Sequence, residues 1–173
     1  MAKNQGNLGH KMEEITEIIL EDTPKSVLPQ QPPFLFVEEI LALDEHRCLA
    51  KYTFKEDEWF FKGHLPGNPI VPGVILIEAM AQVASLVCIY NIAKNDNIPL
   101  SKVKESMLSV FVRIGKVEFL EIVRPKETIY IECYKNFYRF GRFETGGESY
   151  KLVNGKKKIV CTHKSLVGQR IKV

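Results

Sequence analysis

Residues 63–82 read GHLPGNPIVPGVILIEAMAQ and bring three features of chemical interest close together. His64 stands in a loop crowded with Gly and Pro, Gly73 stands where a helix should begin, and Glu78 is the single ionisable group of the apolar run that follows. An imidazole with a pKa near ~6.5 can take or give a proton at neutral pH. A helix N-terminus offers unpaired backbone N–H groups and the positive end of the dipole, so it favours negative charge. A carboxyl inside an apolar helix must be paired, neutral or turned to a cavity, because burying it charged and alone is costly. Gln82 follows Glu78 at i+4, within reach of a hydrogen bond. Taken singly, a loop histidine is also an ordinary surface residue, and a Gly after Pro is also a structural device. Glu78 is the hardest of the three to explain without a function.

The elements that must hold these residues are legible from patterning. The loop at 63–73 contains Gly63, Pro66, Gly67, Pro69, Pro72 and Gly73, which implies a defined backbone path. A helix is expected from Pro72-Gly73 to about Ala93, with Pro suited to the first turn. Its interior is apolar on every side, which requires burial on every side. Residues 34–43 and 47–54 read as a β-hairpin about Asp44-Glu45-His46. Further strands are expected at roughly 103–114, 127–137, 142–153 and 157–167, with Asn154-Gly155 as a type I′ turn between the last two. One wholly apolar helix among antiparallel strands can be covered only if the sheet curls around it. The expected class is α+β, the hot-dog fold: an antiparallel sheet wrapped around one long apolar central helix. Residues 1–11 read as a tail. Residues 12–21 read as a short amphipathic helix with Ile15, Ile18 and Ile19 on one side, stopped by Pro24, after which Pro29, Pro32 and Pro33 keep the chain extended. The expected division is 1–27 as tail and short helix and 28–173 as a single domain.

Composition narrows the function classes. The chain has 173 residues, 45% hydrophobic and 26% charged, which excludes disorder and suits one domain. A net charge of +3 implies no strong polyanion-binding field, and the lysine run at 156–158 reads as a solvated hairpin end, so no nucleic-acid partner is expected. Cys48, Cys88, Cys133 and Cys161 lie far apart without C-x-x-C spacing, so neither a zinc ribbon nor a thioredoxin-type site is indicated. Reduced cysteines of a cytoplasmic protein are the plain reading. The N-terminus does not read as a signal peptide. The apolar run at 74–90 is interrupted by Glu78 and Gln82 and is short for a membrane span, so a buried helix is expected instead.

Three short motifs carry a family resemblance. His64-Leu65-Pro66-Gly67-Asn68-Pro69, then Val71-Pro72-Gly73-Val74, then Glu78-Ala79-Met80-Ala81-Gln82 closely resemble the (3R)-3-hydroxyacyl-ACP dehydratases of FabZ type. The likeness begins at Pro32-Pro33-Phe34-Leu35-Phe36-Val37 and extends weakly to Val153-Asn154-Gly155-Lys156, covering about 28–168. FabA-type enzymes carry Asp where this chain has Glu78, so the FabZ type is the nearer match. The resemblance implies a catalytic dyad of His64 and Glu78, with the Gly73 N–H polarising a thioester carbonyl and Pro72 and Gln82 in support. The reaction implied is reversible loss of water from a 3-hydroxyacyl thioester to a trans-2-enoyl thioester in fatty-acid or related acyl-chain biosynthesis. It implies acyl-ACP as substrate carrier, with acyl-CoA as the alternative, and neither metal nor cofactor. It also implies a homodimer whose dyads are shared between subunits, with a trimer of dimers as a further assembly. An open sheet edge and an exposed face of the apolar helix would give that dimer a physical reason.

The chain departs from the family pattern in places. Leu28-Pro29-Gln30-Gln31 replaces Leu-Pro-His-Arg, and Leu65 replaces a usual Phe. Glu118-Phe119-Leu120-Glu121 aligns with a basic stretch expected to dock acidic ACP, with Arg124 and Lys126 just beyond. Two other readings compete with the dehydratase. A hot-dog thioesterase uses a helix N-terminus and a helical carboxylate, but lacks the H-x-P-G-x-P loop. A non-catalytic acyl-thioester binder would not need both dyad residues.

Overall fold

The computed structural model describes residues 22–172, so the expected tail at 1–11 and amphipathic helix at 12–21 lie outside the described residues. The elements in chain order are α1 (Pro24–Val27), β1 (Glu39–Leu43), β2 (Arg47–Thr53), a 3₁₀ turn (Trp59–Lys62), α2 (Gly73–Asp96), α3 (Leu100–Ser106), β3 (Met107–Phe119), β4 (Thr128–Arg139), β5 (Arg142–Val153) and β6 (Lys156–Lys172).

α2 is the apolar helix of the sequence, and it is buried along nearly its whole length. By length and composition it could cross a membrane, but it is mostly enclosed by the protein, as the core helix of a soluble fold is. It ends at Asn97, whose left-handed φ of 51° suits Asn at a helix terminus. The polar groups it buries are paired. Ser85 Oγ donates to the Ala81 carbonyl at 2.9 Å, and Asn91 Nδ2 donates to the carbonyls of Val87 and Glu45.

The six strands form one antiparallel sheet in the order β1-β2-β4-β5-β6-β3. Alternate residues of β2 and β4, among them Cys48, Ala50, Tyr52, Ile129, Ile131 and Cys133, are buried in the core that α2 shares. Register shifts occur in the β1–β2, β3–β6, β4–β5 and β5–β6 pairings. Such bulges add local twist and bend, which is how a sheet curls around a helix. The turn at Asn154-Gly155 has φ of 52° and 72°, the two positive values that a type I′ turn demands. All four cysteines are buried and unpaired, and burial pushes the Cys88 thiol up to about 12.

Several boundaries differ from the sequence reading. The strand expected from residue 103 begins at Met107, because Leu100–Ser106 is helical and buries Leu100 and Val103, three residues apart, against α2. The strand expected over 34–43 is confined to Glu39–Leu43, because the backbone at 34–36 bonds a side chain instead of a strand. β6 runs to Lys172 rather than 167, since its far half pairs along β3. Pro24 starts a helical turn, with the Thr23 hydroxyl accepting the Ser26 N–H at 3.2 Å. The exposed apolar surface expected on α2 is confined to its first turn, where Val74 is 70% exposed. The larger apolar exposure lies on the edge strand β3, at Val110, Phe111, Val112 and Ile114.

Candidate active site

Two buried aromatic residues anchor the loop that carries His64. Phe60 and Phe61 of the 3₁₀ turn are buried, and Phe60 packs against Phe36 and Phe54. Glu58, at the start of this turn, accepts the Tyr52 hydroxyl at 2.6 Å. The loop then leaves the surface of the core. Leu65 adopts φ 57°, Gly67 adopts φ 84°, and the Asn68 N–H donates to the Leu65 carbonyl at 2.9 Å. Arg124 Nη1 donates to Asn68 Oδ1 at 2.9 Å and the Val71 N–H donates to the Val123 carbonyl at 2.8 Å, so the far end is tied to the segment after β3.

His64 itself is half-buried. Its Nδ1 lies 3.1 Å from the Ile70 carbonyl oxygen. A carbonyl only accepts, so Nδ1 carries the proton. In the neutral ring the lone pair is then on Nε2, the nitrogen free to act as a base.

Pro72 is the N-cap of α2 rather than a residue of its first turn, and its carbonyl accepts the Ile75 N–H at 2.9 Å. Gly73 is the first helical residue, so its N–H has no partner within the helix. The Phe119 ring lies over it: a Cβ on Gly73 would sit 2.9 Å from Phe119 Cζ. Phe119, which the sequence aligns with a carrier-docking stretch, lies against the start of α2. Of its neighbours, Glu121 is ion-paired with Lys158, which together with the Ile122 N–H holds its carboxyl below the usual range.

Glu78 is half-buried, and burial raises its carboxyl above the ordinary value, opposed by a hydrogen bond from Gln82. Gln82 Nε2 donates to Glu78 Oε1 at 2.8 Å and to the Phe34 carbonyl at 2.9 Å, while Gln82 Oε1 accepts the Phe36 N–H at 2.8 Å. The carboxyl therefore has one fixed donor and is otherwise open to protonation.

The structure thus joins Glu78 to Gln82 and folds the loop back so that His64 meets the Ile70 carbonyl. Within this one chain His64 and Glu78 make no hydrogen bond or ion pair with each other. Sequence reasoning missed three contributors: the backbone of Phe34 and Phe36, the Phe119 ring, and the Arg124–Asn68 tie. None has a local sequence signal, since each partner lies tens of residues away.

The FabA-like domain family matches residues 28–161. The chain belongs to the FabA-like family. It is 35% identical over 124 residues to the 3-hydroxyacyl-[acyl-carrier-protein] dehydratase FabZ of Caldanaerobacter subterraneus, covering 71% of this chain and 81% of that protein. To the FabZ of Geotalea uraniireducens it is 34% identical over 125 residues, covering 72% and 81%. Among solved structures, the dehydratase heterocomplex ApeI:P of Xenorhabdus doucetiae superposes with a TM-score of 0.67 at 16% identity, covering 86% of this chain and 90% of that one. The thioesterase PA1618 of Pseudomonas aeruginosa superposes with a TM-score of 0.54 at 10% identity, covering 78% and 81%. Both superpositions concern the fold alone, which is the hot-dog fold expected from the sequence. Within this FabA-like chain, the H-x-P-G-x-P loop and the helical glutamate fall inside the matched residues.

Proposed function

We propose that this protein is a 3-hydroxyacyl-ACP dehydratase, catalysing reversible loss of water from (3R)-3-hydroxyacyl thioesters to trans-2-enoyl thioesters in fatty-acid or related acyl-chain biosynthesis. The observation that carries this reading is a FabA-like chain whose loop histidine keeps Nε2 free while a half-buried helical carboxyl is pushed toward its protonated form.

In this reading His64 Nε2 takes the proton from C2 of the substrate. The electron pair left behind passes toward the thioester carbonyl, whose oxygen is held by the Gly73 N–H and the positive end of α2. Protonated Glu78 gives its proton to the 3-hydroxyl, which leaves as water as the C2–C3 double bond forms. His64 then loses its proton to solvent and Glu78 regains one. Gln82 and Pro72 act through position: Gln82 fixes the carboxyl, and Pro72 sets the start of the helix.

His64 and Glu78 are separate within one chain, which supports a dyad completed by a second copy across a two-fold axis. The long, partly apolar and unpaired edge of β3 gives such a dimer a surface to cover. Acyl-ACP is the carrier expected from the relatives' names. Four unpaired cysteines support a reducing compartment, the cytoplasm.

The test is to follow the ultraviolet absorbance of a 2-enoyl thioester on adding the protein, with free thiol measured alongside. Loss of the enoyl signal without thiol is expected. Thiol release would make the protein a thioesterase, and binding without turnover would make it a sensor.

A further inference from the structure

Two hairpin turns of the sheet share one geometry. Asn154-Gly155 joins β5 to β6 with φ of 52° and 72°, and Phe140-Gly141 joins β4 to β5 with φ of 51° and 73°. Such a turn asks for Asn or Gly at its central positions. Asn tolerates a left-handed φ, whereas a bulky residue such as Phe is strained there. Burial does not offset that strain. Phe140 is 87% exposed, the most exposed large hydrophobic among the described residues, and its ring carries the Arg139 guanidinium 4.9 Å from the centroid.

The surroundings of Phe140 add a second unfavourable arrangement. Arg139 and Arg142 lie directly opposite each other across the hairpin, where like charges repel. Both are exposed, and among the described residues neither has an acidic partner. Residues 133–143 hold no Asp or Glu. Beyond them, Glu144 is half-buried opposite Phe137, and Asp96 lies 3.7 Å from Arg170. Phe137 is 40% exposed and shares a strand face with Arg139 by the two-residue period. Asn136 Nδ2 donates to the carbonyl of Lys164, a further exposed cation, at 3.4 Å. Nothing inside the molecule relieves the exposure or the repulsion at this convex tip. A surface both anionic and apolar would relieve the two together.

The tip stands at the far end of α2 from the candidate active site. The Arg170 N–H donates to the Gly141 carbonyl at 2.7 Å, and the Arg170 guanidinium faces Asp96, the last residue of α2. Within one chain this is a helix length, about 36 Å, from Gly73. A protein partner would need a groove to receive a convex tip, and a carrier docked here would hold its thioester far from the Gly73 N–H of the same chain. A lipid surface needs no groove and no reach.

We propose that the Phe140-Gly141 hairpin tip is a peripheral anchor for an anionic lipid bilayer. Phe140 and Phe137 enter the headgroup boundary, and Arg139, Arg142 and Lys164 face lipid phosphates. The contact is at the surface only, since α2 stays enclosed in the core. One apolar anchor binds a bilayer weakly, and the cations supply the second attraction that stable docking requires.

The full-length protein is sedimented with vesicles of phosphatidylcholine alone and of equal parts phosphatidylcholine and phosphatidylglycerol, at low and high salt. Wild type should pellet with the anionic vesicles at low salt, and less at high salt or without phosphatidylglycerol. Phe140→Asn should weaken this binding by ~10-fold or more, the effect of withdrawing one buried Phe. It should melt at or above wild type, because Asn suits the turn. Joint replacement Arg139→Gln and Arg142→Gln should weaken binding by ~30-fold and remove most of its salt dependence. Turnover of soluble thioesters should be unchanged in both variants, so the anchor stands or falls apart from the dehydratase reading. Wild type that stays in the supernatant with both vesicles overturns the inference. So does binding that Phe140→Asn leaves intact. A smaller assembly in Phe140→Asn would make the tip a contact between copies, and a raised KM for acyl-ACP with vesicle binding unchanged would make it a carrier contact. Either result overturns the lipid anchor. If Phe140→Asn does not fold, the arginine replacements decide the matter.

Discussion

Gln82 donates a 2.8 Å hydrogen bond to Glu78 while its own amide is clamped by the backbone of Phe34 and Phe36. A glutamine so held cannot turn to follow the carboxyl, so the carboxyl is oriented by a segment some forty residues upstream. The bond favours the charged form of Glu78 and burial favours the neutral one, with burial the larger.

Replacing Gln82 with Leu removes both effects of this clamp. The buried Phe36 N–H loses its acceptor, which should lower stability by about 1–3 kcal/mol in a denaturant titration. Glu78 loses the bond that lowers its pKa, so it should stay protonated to higher pH. The alkaline limb of the dehydration pH–rate profile is expected to move upward, while overall turnover falls through loss of orientation. A purely structural role for Gln82 would leave that limb where it is.

Glu78→Gln should cut turnover by ~10²-fold or more, the usual contribution of a general acid. It should not harm folding. A carboxyl whose pKa is raised in the folded state stabilises below its unfolded value and loses that contribution as pH rises through the folded value. The amide has no such loss. Glu78→Gln is therefore expected to melt at or above wild type at neutral pH, with the difference closing as pH falls toward 4.5, the ordinary value of the group. Thermal melts across pH measure it.

His64→Ala should be as inactive as Glu78→Gln. Mixed under subunit exchange, the two should recover about a quarter of wild-type activity, because half the dimers are mixed and half the sites in each carry both native groups. Mixed dimers that form but stay inactive would show that the dyad is not shared.

Glu121 is engaged with Lys158. Glu121→Lys replaces that pair with two like charges and makes the segment after β3 more basic. If acidic ACP approaches here, KM for acyl-ACP should fall at low salt, converge with wild type at high salt, and stay unchanged for acyl-CoA. Salt-independent KM values would place carrier docking elsewhere.

His163 predicts an acid limit to stability. Its pKa is lowered in the folded state, so its contribution is complete above 6.5 and is lost as pH falls through that value toward about 4. The loss amounts to up to about 3 kcal/mol. His163→Leu should flatten the melting temperature over this range, and an unchanged slope would show that other groups govern acid unfolding.

Much of this protein is decided by local sequence. The apolar circumference of α2 requires enclosure, the Asn154-Gly155 pair specifies its turn, and the Gly/Pro density at 63–73 calls for a fixed loop. The motifs from His64 to Gln82 also mark the candidate residues for chemistry, because an imidazole, a helix start and a carboxyl lie in one short stretch. What local patterning could not reveal are contacts between distant segments. Residues 34–36 have strand composition, yet their hydrogen-bonding capacity is taken by Gln82, so no strand forms there. Leu100 and Val103 suit a strand as well as a helix, and packing on α2 selects the helix. Phe119 meets Gly73, and His163 meets Gly147, only after the sheet has curled. An imidazole in a strand is ordinary by composition. It becomes a buried, unpartnered group only because tertiary packing removes water from both of its nitrogens.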